Sequence, residues 1–401
     1  MRKISLLRNS IQDYAWGSRT AIPELLGQAE PAERPQAELW MGAHPKAPSQ
    51  VCCDGVWRSL LEVIAEKPQE ILGGDAAHKF SNKLPFLFKV LAAAKPLSIQ
   101  AHPNQRQAKE GFIRENEKGI PLEAANRNYR DDNHKPEIIC ALTPFWALNG
   151  FRQVREILRL LGEIQHPGLV EALSFLRDHS GRQGLKKIFK HLMTLEKAKQ
   201  SQIVEETVAF AEKRTEKEPV WAWVAKLNEE YPQDVGVISP AFLNLVKLEP
   251  QQAMHLPAGE LHAYLEGTGI ELMANSDNVL RGGLTAKHID VQELLSILNF
   301  TETKLTILQP QRVASGEAFY PTGTAEFVLS MVEVNGRSPF LGALKRSVEI
   351  MICTKGEATI TDLGDGETIG LTRGTSIIVP AAVKQYRIEG EATLYKAAVP
   401  L

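Results

Sequence analysis

The sequence predicts a mainly β protein with an α-helical insertion, and three observations carry that reading. Short apolar runs broken by turn residues fill residues 1–152. Apolar residues at three- and four-residue spacing then take over, with Lys, Glu and Arg between them, as in packed amphipathic helices. Strand-like runs punctuated by glycine return afterwards and continue to the carboxy terminus.

In chain order, Leu84-Pro85-Phe86-Leu87-Phe88-Lys89-Val90-Leu91 and Leu97-Ser98-Ile99 read as strands, and an amphipathic helix is expected from about Asn104 to Glu115. The helical block runs from Val154 to Tyr231, with Ile157, Leu158, Leu161, then Leu169, Leu173, Leu176, then Leu185, Ile188, Phe189, Leu192 on its apolar faces. Trp221 and Trp223 are expected to anchor its core. Strand character returns near Pro240 and Leu248, and a helix is expected from Val291 to Leu298. Beyond about Glu326, Val348, Ile350 and Ile352 share one strand face, and the runs at Gly356–Ile360, Gly374–Pro380 and Ala392–Tyr395 have the short-strand rhythm of a jelly-roll or cupin barrel. No histidine follows His288, so this barrel is expected to hold no metal. The expected domains are 1–152 and 236–320 as two parts of one cupin-like β domain, 153–235 as the helical insertion, and 321–401 as the carboxy-terminal barrel.

At 401 residues the chain has room for two or three domains. A hydrophobic fraction of 43%, a charged fraction of 23% and a net charge of -2 are those of a soluble enzyme and argue against nucleic acid as a partner. Cys52, Cys53, Cys140 and Cys353 have neither C-x-x-C spacing nor the density of a secreted scaffold, which suits a reducing cytoplasm. The amino-terminal apolar run is broken by charge, and nothing approaches the ~20 apolar residues of a membrane span.

The chemistry gathers in separated segments. Gln100 and His102 alternate on a strand and so leave the same face, where an amide oxygen and an imidazole can grip one ion. In His134-Lys135-Pro136-Glu137, Lys135 and Glu137 share a face while His134 and Pro136 point the other way. Glu260-Leu261-His262 lies beyond the helical block. Each has a plain structural alternative: a hydrogen-bonded strand histidine, a surface ion pair of Glu137 with Lys135, a turn capped by His262. His255 is the rival to His262; His44, His78 and His288 lie outside the ligand positions, and His166, His179 and His191 suit packing or surface roles in helices.

Read together with Tyr14-Ala15-Trp16-Gly17, Ala37-Glu38-Leu39-Trp40-Met41-Gly42, Lys95-Pro96-Leu97-Ser98-Ile99-Gln100-Ala101-His102-Pro103-Asn104, Asn133-His134-Lys135-Pro136-Glu137, Leu256-Pro257-Ala258-Gly259-Glu260-Leu261-His262-Ala263-Tyr264 and Ser276-Asp277-Asn278-Val279-Leu280-Arg281-Gly282-Gly283-Leu284-Thr285, the chain resembles the type I mannose-6-phosphate isomerases (phosphomannose isomerases) as far as about Leu294. The resemblance implies one zinc ion per chain on Gln100, His102, Glu137 and His262. It also places Arg281 at an active-site arginine and Glu271 at a carboxylate for proton transfer. The donor chemistry agrees, since two imidazoles and a carboxylate suit zinc or another divalent first-row ion. The implied reaction interconverts mannose 6-phosphate and fructose 6-phosphate. Moving a proton between C1 and C2 passes through a cis-enediol(ate), which needs a polarised carbonyl, a base and a neutralised oxyanion.

The candidate catalytic set is Arg281, Glu271, Lys135, His134 and Asp277, and the candidate substrate contacts are Ser98, Lys135, Arg281 and Lys287. Which of His134, Glu271 and Lys135 is the base stays open. Arg281 has a structural alternative, a salt bridge to Asp277 four residues earlier. Gly282-Gly283 lacks the context of a nucleotide-binding loop. A cupin-type iron oxygenase and a non-catalytic sugar-binding or regulatory cupin are the competing readings; a neutral Gln ligand speaks against the first, and retention of Glu137, His102 and Arg281 against the second. The expected partner is a small sugar phosphate, bound by a monomer.

Overall fold

One strand organises the metal-site half of the molecule, which is a computed structural model describing residues 2–313 and 316–401. It runs from His262–Ala274, and its first part pairs antiparallel with Phe145–Phe151 and Ile99–Ala101. Its second part pairs with Phe86–Ala93 and Glu137–Ala141. The partners change around Gly267, which has φ 130° and where an added Cβ would meet the Pro144 carbonyl oxygen at 2.7 Å. Only glycine accepts both the backbone angle and the contact, so the strand can turn from one wall of a jelly-roll barrel into the other.

The period-two alternation assigns each residue to the lumen or to an outer face. Phe86, Phe88 and Val90, with Ile138, Cys140, Ile270 and Leu272, lie in a core shared with the carboxy-terminal strands. Lys89, Glu137 and Glu271 sit at intervening positions and therefore face inward. On the opposite wall Ile99, Ala101, Leu148, Ala263, Leu265 and Leu280 join the core of the helical segment. That leaves Ser98, Gln100, Asn149, His262, Tyr264 and Arg281 on the lumen side.

Five α-helices, from Val154–Ile164 to Pro219–Glu230, separate the strands Phe145–Phe151 and Leu243–Leu248. Those strands pair directly, with Phe151 opposite Leu243, so the helices are an excursion between two neighbouring antiparallel strands. Trp221 stacks edge-on against Phe210 at 5.0 Å and Trp223 lies 5.7 Å from Trp146, as core anchors do. Where a strand was expected near Pro240, the chain forms a 3-10 helix over Val235–Ala241, because proline has no N–H to give a ladder. The expected helix after the Gln-His strand spans Gln105–Glu117 and starts in a capping box made by Asn104 and Gln107. A further helix spans Val291–Ile297, with Asp290 accepting from the Glu293 N–H.

The carboxy-terminal β unit is built around the paired strands Glu349–Asp362 and Tyr386–Ala398. The amino-terminal strand Ser5–Arg8 enters the same sheet, pairing with Ser376–Val379 on one side and Gln50–Cys53 on the other. No helix among the described residues is long and apolar enough to cross a membrane.

Candidate metal centre

His102, Glu137 and His262 converge in the lumen, each at most 1% exposed. One ligand atom from each lies within 4.8 Å of the others. His102 Nε2 is 3.5 Å from Glu137 Oε1, His262 Nε2 is 3.4 Å from Glu137 Oε2, and the rings stand 5.0 Å apart. The far nitrogens are engaged: His102 Nδ1–H donates to the Asn278 carbonyl at 2.7 Å and His262 Nδ1–H to the Glu260 carbonyl at 3.0 Å. Each ring thus turns a bare Nε2 lone pair inward, the arrangement that orients metal-bound histidines.

His102 Nε2, His262 Nε2 and Glu137 Oε2 have no hydrogen-bond partner among the described residues. Leaving one such buried atom unsatisfied costs roughly 1–3 kcal/mol, so three aimed at one point need a common partner. A divalent cation fits them, and the two-nitrogen, one-carboxylate set suits zinc. Gln100 pairs directly across the sheet with His262, which puts both side chains on one face. Its amide makes no hydrogen bond among the described residues, so it is available as a fourth donor.

Charge is concentrated behind the ligands. Lys135 Nζ lies 3.1 Å from Glu137 Oε1, and Lys89 Nζ lies 2.8 Å from Glu271 and 3.5 Å from Glu38. The Trp40 indole N–H donates to Glu38 at 2.7 Å. Three buried carboxylates therefore face two ammonium groups. Burial alone would discharge Lys89, but Glu271 and Glu38 outweigh it and keep it protonated. Burial raises the Glu271 carboxyl, with Glu137 and Glu38 adding to the rise against the pull of Lys89. Burial also acts to raise Glu137, but Lys135 and His102 hold it well below the usual carboxylate range. Burial pushes His102 down to about 4, so its ring is neutral, as a ligand must be.

The remaining sequence candidates are placed separately. Arg281 is the direct cross-strand partner of Gln100, on its other side from His262. Its half-buried guanidinium has no hydrogen-bond or ion-pair partner among the described residues, and burial and nearby Arg130 act to lower its pKa. Lys287 is exposed, and its pKa is lowered by burial of its inner part and by Arg281 and Arg130, so three cations gather at this mouth. Asp277 does not pair with Arg281. Its carboxylate meets Lys46 at 3.0 Å and His44 at 3.7 Å, because it lies in the loop before the strand that carries Arg281 into the lumen. His134 turns away from the cluster, as the alternation predicts, and its Nε2 meets Glu326 at 2.7 Å. Ser98 is partly buried on the lumen side. His255 lies outside the cluster, 3.4 Å from the Thr324 hydroxyl.

Lys89, Glu38 and Tyr264 were not singled out from the sequence as site residues. Lys89 had a signal: a charged residue inside the apolar run Phe86-Leu87-Phe88-Lys89-Val90-Leu91 stays buried only when paired. Tyr264 shares the lumen face with His262, and its hydroxyl is buried there close to Glu271.

Models of known families match most of the chain. Phosphomannose isomerase type I, catalytic domain, matches residues 4–154; its helical insertion domain matches 160–243; and the mannose-6-phosphate isomerase cupin domain matches 317–399. Mannose-6-phosphate isomerase of Shigella flexneri is 41% identical over 392 residues, covering 97% of each chain. Its namesake in Homo sapiens is 32% identical over 403 residues, covering 93% of this chain and 92% of that one. Among solved structures, zinc-bound mannose 6-phosphate isomerase superposes with a TM-score of 0.92 at 38% identity, covering 99% of this chain and 100% of that one. A mutant of phosphomannose isomerase from Salmonella typhimurium gives the same values. With the same fold, matching domain models and this identity over nearly its whole length, the chain belongs to the type I phosphomannose isomerase family.

Proposed function

We propose that this protein is a zinc-dependent aldose-ketose isomerase that interconverts mannose 6-phosphate and fructose 6-phosphate. The observation that carries the proposal is the convergence of three donor atoms, on His102, Glu137 and His262, without partners among the described residues, in a lumen flanked by an arginine likewise unpartnered among them. Gln100 completes the ligand set. Held by these residues, one zinc ion per chain would supply Lewis acidity at the sugar's reacting oxygens.

The protein's own groups take the other tasks. Glu271 is the proton carrier between C1 and C2 in this reading, since burial raises its carboxyl and makes it a stronger base than an ordinary carboxylate. Lys89 holds its carboxylate in place at 2.8 Å. Lys135, beside Glu137, is a fixed positive charge against the developing enediolate oxygen. His134 is occupied by Glu326, which favours Glu271 over it as the base. Arg281 offers a planar fork to the phosphate or the oxyanion, with Lys287 and Ser98 as further contacts at the mouth. Asp277 sets the position of His44 and Lys46 beside the site.

All these residues come from one chain, so a monomer is sufficient. Residues 1–152 and 236–320 form the catalytic domain in this reading, 153–235 the insertion and 321–401 a companion barrel without metal, in a cytoplasmic enzyme. The test is a coupled assay with mannose 6-phosphate, run in water and in D2O. Isomerisation with solvent deuterium appearing at the transferred position supports a cis-enediol(ate). Turnover without deuterium would replace it by a direct hydride shift, and sugar binding without turnover would favour the non-catalytic cupin.

A further inference from the structure

Asn278 presents the carbonyl that orients His102, yet it sits in an irregular loop between the strands His262–Ala274 and Leu280–Gly283. What fixes that loop is a second loop, at 130–133. The Asn278 side chain is fully buried and saturated: its Oδ1 accepts from the Arg130 and Asp131 N–H groups at 2.7 and 3.2 Å. Its Nδ2 donates to the Asp131 and Asn133 carbonyls, both at 2.9 Å. The Asp131 carboxylate returns the contact, accepting from the Ser276 hydroxyl at 2.8 Å, the Asp277 N–H at 2.7 Å and the Asn133 N–H at 3.0 Å. Its Oδ1 also takes the Asn278 amide at 3.2 Å.

We infer that Asp131 is a positioning residue for the metal centre: through its clasp on residues 276–278 it holds the Asn278 carbonyl against His102 and so sets how tightly the ion is held. Both carboxylate oxygens act only as acceptors, so an amide in the same place must turn an N–H toward a group that is itself a donor. The loop then shifts, and His102 loses the acceptor that fixes its tautomer and ring plane. The inference rests on the proposed zinc site.

The experiment is zinc affinity by competition with a chromogenic chelator, alongside the melting temperature of the metal-free protein. Asp131→Asn is expected to weaken zinc about 10- to 100-fold, the usual effect of losing an outer-shell partner. The control is Glu115→Gln, because Glu115 clasps the other end of the same loop, accepting from the Asn128 and Tyr129 N–H groups at 3.2 and 2.9 Å without touching Asn278. It is expected to lower the melting temperature and leave zinc affinity within roughly threefold of wild type, since it supports no ligand. Should Asp131→Asn not fold, Ser276→Ala removes one donor to the carboxylate and one acceptor for the Asn278 N–H, and a weaker zinc site is again expected. Unchanged affinity in a folded Asp131 or Ser276 variant, or equal weakening by Glu115→Gln, overturns the positioning role. Failure of the wild type to bind zinc would instead strike the proposed function.

Discussion

Lys89 Nζ and Glu271 Oε2 meet 2.8 Å apart, opposite each other on neighbouring strands and almost wholly buried. Glu38 stands on the far side of the same ammonium group at 3.5 Å. Lys89 thus bridges two buried carboxylates and holds both in place in the barrel lumen. Lys89→Met should destabilise the fold by about 3–5 kcal/mol, because it strands buried charge rather than removing a pair. Denaturant unfolding of Lys89→Met and the double variant Lys89→Met/Glu271→Gln checks this. The double variant should recover part of the loss.

Removing either imidazole should empty the site. His102→Ala and His262→Ala are each expected to lower bound zinc and turnover together, since few strong ligands hold the ion. Metal analysis and steady-state rates on the same preparation decide it. Full activity with stoichiometric zinc in either variant would refute the ligand assignment.

Arg281→Lys keeps the charge and loses the planar fork. Because Arg281 has no acidic partner among the described residues, the change should leave melting temperature and zinc content near wild type. Turnover should fall by a factor on the order of 100, as when one preorganised oxyanion donor is lost. Near-wild-type turnover would remove Arg281 from the catalytic set.

Acid should weaken the metal-free protein through its buried histidines. The ordinary value for His102 is 6.5 and burial lowers it to about 4, so between these the unfolded chain binds a proton that the folded chain refuses. Stability contributed above pH 6.5 is therefore lost as pH falls toward about 4, and His44 and His255, also lowered by burial, act in the same direction. Urea midpoints measured from pH 7.5 to 4.5 should decline across that window. His102→Gln should flatten the decline.

The grouping of His102, Glu137 and His262 was legible through the motifs that resemble the family, and the helical insertion through its apolar spacing; Gln100 and His262 are direct cross-strand partners. The environment of Asp277 was not legible. An i, i+4 pair with Arg281 assumes a helix, and here a loop passes into a strand between the two residues. The apolar run around Lys89 marks it as buried and paired, but its partner Glu38 was hidden for a related reason, since neighbours brought together by strand pairing leave no local spacing to read. Nor does the spacing of the helical segment reveal that its core continues into Ile99, Leu148 and Ala263 of the barrel wall.

In the proposed function, one zinc ion on Gln100, His102, Glu137 and His262 makes this barrel an isomerase. The most direct measurement is a zinc titration of the metal-free protein, with mannose 6-phosphate isomerisation followed at each addition. Negligible rate without metal and a linear rise that breaks at one zinc per chain are expected. A rate that is full before zinc is added, or that bears no relation to occupancy, would contradict the proposed function.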